Sequence, residues 1–219
     1  MMLLIEGVLT PAEVAAVRAT AAALDFGDGR ATAGAHARTV KANDQALPAP
    51  DLDAILTKVE TTLTTNLLFR SAARPKALTR LILSRYRQGQ TYGLHVDDAL
   101  MQGLRTDLSF TLFLSDPANY DGGALVIEDT FEARAIKPGA GDLILYPSTT
   151  LHRVEPVSRG ERLAVVGWVQ SLIRDAGQRE VLFDLDQSVD ACFAAEGKSP
   201  QFDRLAKTRS NLLRMWAEP

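Results

Sequence analysis

Histidine and cysteine are scarce in this chain of 219 residues, which has three of the first and one of the second. The lone cysteine, Cys192, excludes an intrachain disulfide and fits a cytoplasmic location. Long hydrophobic runs are missing too. None reaches the roughly 18 apolar residues of a membrane-spanning helix, so no membrane partner is expected. Basic charge is not in surplus: 24 Lys and Arg stand against 27 Asp and Glu, a net charge of −3, which argues against nucleic acid as a partner. The opening stretch MMLLIEGVLTPAE has no basic region and is expected to turn helical almost at once, so it does not read as a signal peptide. Gly27-x-Gly29 has neither a preceding strand nor a third glycine, and is no nucleotide fingerprint. What remains is ample for a folded core: 46% of residues are apolar and 23% charged, in a length suited to one domain with an appendage.

Thr10-Pro11-Ala12-Glu13 carries the marks of a helix start, with a capping threonine, a proline at the first helical position and a glutamate closing a capping box. The spacing predicts a helix through AEVAAVRATAAAL, then a loop-rich segment from Asp25 to Pro50. A second helix follows, with Leu52, Ile55, Leu56, Val59, Leu63 and Leu67 expected as one core-facing stripe. From Leu78 the period changes to alternation. Eight short runs, LTRLILSRYR, TYGLHVD, DLSFTLFLSD, GALVIEDT, FEARAIKP, GDLILYPS, LHRVEPV and ERLAVVGWVQSL, are separated by turn residues. So many strands in so short a stretch suggest a double-stranded β-helix, or jelly roll, in an α+β chain that is mainly β. The expected division is a helical support over 1–77, the jelly-roll core over 78–173 and a helical extension over 174–219.

Within the strands, residues i and i+2 share a face, so His95 and Asp97 of GLHVD project together. An iron site of the facial-triad kind needs two histidines and one carboxylate. The only other histidine of the strand region is His152, which is either that third ligand or a structural histidine; His36 falls in the early loop, solvated or touching substrate. In GERLAVVGWVQ, Arg162 shares a face with Ala164, Val166 and Trp168, opposite Leu163, Val165 and Val169. An arginine pointing into a barrel calls for an anionic partner such as a dicarboxylate co-substrate, which guanidinium grips with two hydrogen bonds. The alternative is an outward Arg162 paired with Glu161 or Glu155.

The pattern His95-x-Asp97, His152 and Arg162, with Tyr86 ahead of it and the blocks YDGGALVIED and KPGAGDLILYPSTTLHRVEPVSRGERLAVVGW, resembles the prolyl-4-hydroxylase type of iron(II)/2-oxoglutarate dioxygenase. RTDLSFTLFLSDPANYDGGALVIED and REVLFDLDQSV make it most similar to the bacterial PKHD-type hydroxylases, over nearly the whole chain. The resemblance implies Fe2+ held by His95, Asp97 and His152, 2-oxoglutarate bound by Arg162, and L-ascorbate as reductant. It implies hydroxylation of a small molecule or protein residue with dioxygen, releasing succinate and CO2. One departure is expected in SFTLFLS, where some relatives place a co-substrate-binding tyrosine and this chain has Leu112; Tyr86 is the candidate for the supporting hydroxyl. Two other readings use the same residues: a zinc hydrolase, which lacks the helical H-E-x-x-H signature and leaves Arg162 unexplained, and a metal- or ligand-binding jelly roll without turnover. The final helix, FDRLAKTRSNLLRMW, is amphipathic; its basic face suits solvent, and its apolar stripe is the one candidate for a homodimer contact.

Overall fold

The computed structural model describes residues 1–128 and 131–218. The first helix begins as its cap predicts: α1 (Pro11–Ala21) has Thr10 accepting from the Glu13 backbone and Glu13 reaching back to Thr10. The second stretch divides. α2 (Pro50–Thr65) ends at Asn66, whose side chain caps α3 (Leu67–Ala73) by accepting from the Phe69 N–H. That break changes the expected stripe. Leu52, Ile55, Val59 and Leu63 are buried, but Leu67 starts the new helix and is 78% exposed, so it is no core residue.

Among the described residues seventeen strands follow one another, numbered in order. The N-terminal part supplies β1 (Leu3–Ile5), β2 (Phe26–Asp28), β3 (Lys41–Ala42) and β4 (Asp44–Ala46). These short strands were not expected from the sequence, which reads 1–50 as helix and loop. Then come β5 (Pro75–Leu78), β6 (Ile82–Arg87), β7 (Thr91–His95), β8 (Leu100–Met101), β9 (Leu104–Arg105) and β10 (Leu108–Phe113). The remainder are β11 (Asp121–Gly122), β12 (Leu125–Glu128), β13 (Ala133–Ile136), β14 (Leu143–Pro147), β15 (His152–Val154), β16 (Val157–Arg159) and β17 (Glu161–Ser171). All eight runs predicted from the alternation contain a strand; the end of GALVIEDT, residues 129–130, lies outside the described residues. α4 (Ala176–Glu196) and α5 (Pro200–Trp216) close the chain, packed against each other.

Two sheets face each other as a jelly roll. The larger has the order β1-β14-β10-β17-β6-β4-β2, with β5 also on β17; the smaller is β13-β12-β15-β7-β3. The N-terminal segment therefore extends both sheets. Leu83, Leu108, Phe110, Leu112, Leu143, Leu163, Val165 and Val169 cover the outer side of the large sheet and pack with Val14, Val17, Ile55, Val59 and Leu63 of the helices. Each apolar side chain so buried contributes roughly 1.5–3 kcal/mol. Between the sheets lies a second cluster, with Tyr86, Phe113, Ile144 and Tyr146 from the large sheet and Leu125 and Ile127 from the small one. Beside that second cluster lies the cavity.

Candidate metal centre

His95 ends β7 and His152 begins β15, and the two are register partners in the small sheet. From that pair to the next, Val154 with Tyr92, β15 advances two residues and β7 three. This bulge carries one extra residue and turns both Tyr92 and His95 to the cavity side. The Tyr92 ring stacks on His95 at 3.6 Å, and the two imidazoles lie 4.3 Å apart between centroids. Asp97 follows just past the strand end, its carboxylate 3.7 Å from His152 Nε2. One donor atom from each of His95, Asp97 and His152 lies within 4.8 Å of the others, with both histidines buried.

The hydrogen bonds set up a donor set that fits a metal ion. His95 Nδ1 lies 2.8 Å from the Gly93 carbonyl and His152 Nδ1 lies 3.0 Å from that of Thr150. A carbonyl only accepts, so both Nδ1 atoms carry the proton and both Nε2 lone pairs are free for a ligand bond. Burial, then the neighbouring His152, pushes His95 down to about 4 despite Asp97 and the Gly93 carbonyl, which keeps it neutral near pH 7. Asp97 is fixed from the opposite sheet: Ser109 Oγ donates to it at 2.6 Å and sits 2.8 Å from Ser148 Oγ. His36 is exposed at the start of a short 3-10 turn and lies outside this cluster.

Arg162 projects from β17 into the same cavity, as its alternation predicts, together with Val166 and Trp168. It is 1% exposed, the largest fully buried side chain. Its Nε has no partner, and no carboxylate among the described residues pairs with its guanidinium. Glu161 instead approaches Arg85, at 3.9 Å. The guanidinium carbon lies 5.2 Å from the Tyr86 ring and 5.0 Å from that of Phe113. Leu112 points into the helix-backed core, and the β10 residue that meets Arg162 is Phe113, which has no hydroxyl. Tyr86 is buried and lines the cavity; burial raises its pKa, while Arg162 and Ser84 oppose the rise. A further phenol, Tyr120, is fully buried near Arg162 with its hydroxyl unpartnered.

The cavity lies between the two sheets and is lined by residues of both. Its remaining wall includes Lys41 of β3, Asn43 between the strands and Gln45 of β4, alternate residues that face inward. These were missed in the sequence. A period-two trace of polar residues, K-x-N-x-Q, was their only signal, within a segment too short in strand to advertise itself.

The family model described as the 2OG-Fe(II) oxygenase superfamily matches residues 81–170, and that of the PKHD-type hydroxylase C-terminal domain matches 176–218. A PKHD-type hydroxylase of Maricaulis maris is 53% identical over 193 residues, 88% of either chain. One from Synechococcus elongatus is 50% identical over 223 aligned positions that span all of both chains. Among solved structures, a Pseudomonas putida prolyl-4-hydroxylase superposes with a TM-score of 0.52 at 21% identity, covering 78% of this chain and 92% of that one. A Trichoplax adhaerens prolyl hydroxylase, solved with a hypoxia inducible factor peptide fragment, gives 0.56 at 15% identity, covering 83% and 86%. At those identities the two structures bear on fold alone.

Proposed function

Since the chain belongs to the PKHD-type hydroxylases of the 2OG-Fe(II) oxygenase superfamily, we propose that His95, Asp97 and His152 hold the iron and that Arg162 binds 2-oxoglutarate. The protein is an iron(II)- and 2-oxoglutarate-dependent dioxygenase, a hydroxylase that uses dioxygen and releases succinate and CO2. Residues 78–173 carry this chemistry, with 1–77 and 174–219 in support. L-Ascorbate as the reductant and a cytoplasmic location complete the reading; a single cysteine, and the absence of any helix in the described chain long and apolar enough to cross a membrane, agree with that location.

The observation that carries the assignment is the unpaired, fully buried guanidinium of Arg162 sharing one cavity with the three-residue cluster. Burying a charge without a partner costs several kcal/mol, so its place is explained by a carboxylate that arrives with a ligand. Bound iron supplies a centre at which dioxygen activation is coupled to decarboxylation of the keto acid. The chain's own residues bind and orient. His95 and His152 present Nε2 because backbone carbonyls hold Nδ1–H, and Ser109 fixes the Asp97 carboxylate. Arg162 grips the distal carboxylate of 2-oxoglutarate and so sets the direction of the keto acid. Tyr86 and Phe113 hold the guanidinium between rings and exclude water from it. Tyr86, which lines the cavity beside Arg162, supplies the supporting hydroxyl contact to the co-substrate on this reading.

Arg162→Ala tests this directly. The 2-oxoglutarate Kd is expected to rise roughly ten- to a thousandfold, the loss of a charge-assisted pair worth roughly 1.5–4 kcal/mol, with iron binding retained. Lysine at that position recovers only part of the loss, since an ammonium cannot reproduce the two-pronged grip. Pyruvate, which lacks the distal carboxylate, should distinguish little between the natural protein and Arg162→Ala. Unchanged 2-oxoglutarate affinity in Arg162→Ala would overturn the assignment.

A further inference from the structure

The cavity holds a second buried cation that neither the metal nor the co-substrate accounts for. Lys41 is 8% exposed and lies on β3, the edge strand beside β7, in register with Tyr92. Its ammonium sits 4.9 Å from the centroid of the Tyr92 ring, which also stacks on His95. An ammonium has three N–H donors. One is used, on Thr32 Oγ1 at 3.2 Å, and Thr32 in turn donates to Gln45. No carboxylate among the described residues lies within ion-pair distance of it; Asp97 and then Asp28 favour its charge from farther off, the first taken up by the proposed metal site and the second gripped by Arg30 at 2.7 Å. The strand around it is pinned in place. Gly29 N–H donates to the Asn43 carbonyl, and a Cβ on Gly29 would fall 2.1 Å from the Asn43 side-chain oxygen. Lys41 is therefore a positioned cation, held at the wall with two donors unspent.

Charge balance says what those donors await. The charged side chains of the cavity wall are Lys41, Asp97, Asp98 and Arg162, and Asp98 is exposed at the mouth. A ferrous ion and Asp97 together leave one positive charge, which with Arg162 is matched by the two carboxylates of 2-oxoglutarate. The charge on Lys41 is then left over in a buried site, where an unpaired ion is costly. One spare positive charge and two free N–H groups suit a single carboxylate better than a phosphate dianion.

We propose that Lys41 anchors a carboxylate of the molecule being hydroxylated, so that the enzyme acts on a carboxylic acid held between the β3 edge and the metal centre. The proposal rests on the reading of the iron and 2-oxoglutarate sites above, and it deepens that reading by naming the substrate class. The carboxylate comes from a free amino or hydroxy acid or from the C-terminus of a peptide, which have the same recognisable group.

The test uses the full chain with Mn(II) in place of iron and saturating 2-oxoglutarate, so that no turnover occurs and Arg162 is already engaged. Trp168, in the cavity wall, reports binding by its fluorescence in a Trp216→Phe background. The probes are free L-amino acids, their hydroxy-acid analogues and short peptides with free C-termini, each titrated beside its own carboxamide. At least one acid is expected to bind tenfold or more tightly than its amide, and the set it comes from separates metabolite from peptide. Lys41→Met should bring that ratio to within twofold of one, Lys41→Arg should keep it, and all three proteins should bind 2-oxoglutarate within twofold of each other. Absence of any preference for acid over amide, or survival of the preference in Lys41→Met, overturns the proposal. So does a tenfold loss of 2-oxoglutarate affinity in Lys41→Met, which would place Lys41 in the co-substrate site. Failure of the natural protein to bind Mn(II) and 2-oxoglutarate is seen before any probe is added, and it sinks the underlying functional reading instead.

Discussion

Leu108, Phe110 and Leu112 on one side of β10, and Ser109, Thr111 and Phe113 on the other, come from the same six residues and are all buried. The first three pack against helices in an apolar layer. On the other side Ser109 and Thr111 line the cavity, Ser109 bonded to Asp97, and Phe113 covers Arg162. β17 divides in the same way, Leu163, Val165 and Val169 behind, Arg162 and Trp168 in front. Adjacent residues of one strand thus serve opposite ends. The rear layer supplies stability and asks only for volume and apolarity, whereas the front layer buries a charge that the proposed co-substrate would complete.

That division can be attacked from either side. The largest effect is expected from His152→Ala, which should abolish high-affinity ferrous binding, measured anaerobically, while the melting temperature of the metal-free protein changes little; His36→Ala should bind iron as the natural protein does. Leu112→Ala should do the reverse. Removing a fully buried leucine should cost roughly 2–5 kcal/mol in denaturant unfolding, with the 2-oxoglutarate Kd unaltered. Loss of iron affinity in Leu112→Ala, beyond what unfolding explains, would show the two layers to be coupled. Ser109→Ala sits on the boundary: without the bond to Asp97 the iron affinity should fall roughly tenfold to a hundredfold.

The smallest effect concerns Lys41, which burial pushes down to about 8 from its ordinary 10.5. Between those values the unfolded chain holds the proton that the folded lysine has shed, so unfolding takes up a proton and stability rises with pH. Below pH 8 both states carry the proton and the cost of the buried charge is fully present. Metal-free natural protein should therefore gain stability over this window relative to Lys41→Met, read from parallel urea titrations; matching slopes would mean that Lys41 is solvated.

The front layer was largely legible in the sequence because alternation is a local rule. His95 and Asp97, and Arg162 with Val166 and Trp168, fall on the inner side that parity assigns them. Parity also fails where the backbone departs from it. The bulge in β7 brings Tyr92 to the side of His95, which a strict period of two forbids. Leu67 left the core because Asn66 ends one helix and caps the next, resetting the helical phase. Lys41, Asn43 and Gln45 were hidden for another reason. Strands of two or three residues are held by their neighbours β6 and β7, and carry too little pattern of their own. Leu112 shares its parity with Leu108 and Phe110 and packs with them on the helix side.

His95 and His152 ride on the five-stranded sheet, and Arg162 on the eight-stranded one. On the proposed binding mode a single molecule of 2-oxoglutarate, with the metal at one end and Arg162 at the other, is a cross-tie between the two halves of the barrel. Loading it adds a removable strut to the side-chain packing and the Ser109–Asp97 hydrogen bond that already join them in the empty protein. Mass action sets the size of the effect, about 2.7 kcal/mol at a hundredfold excess over Kd. The melting temperature becomes a gauge of how many barrels are braced, and each turnover, by consuming the strut, returns the two sheets to their looser footing.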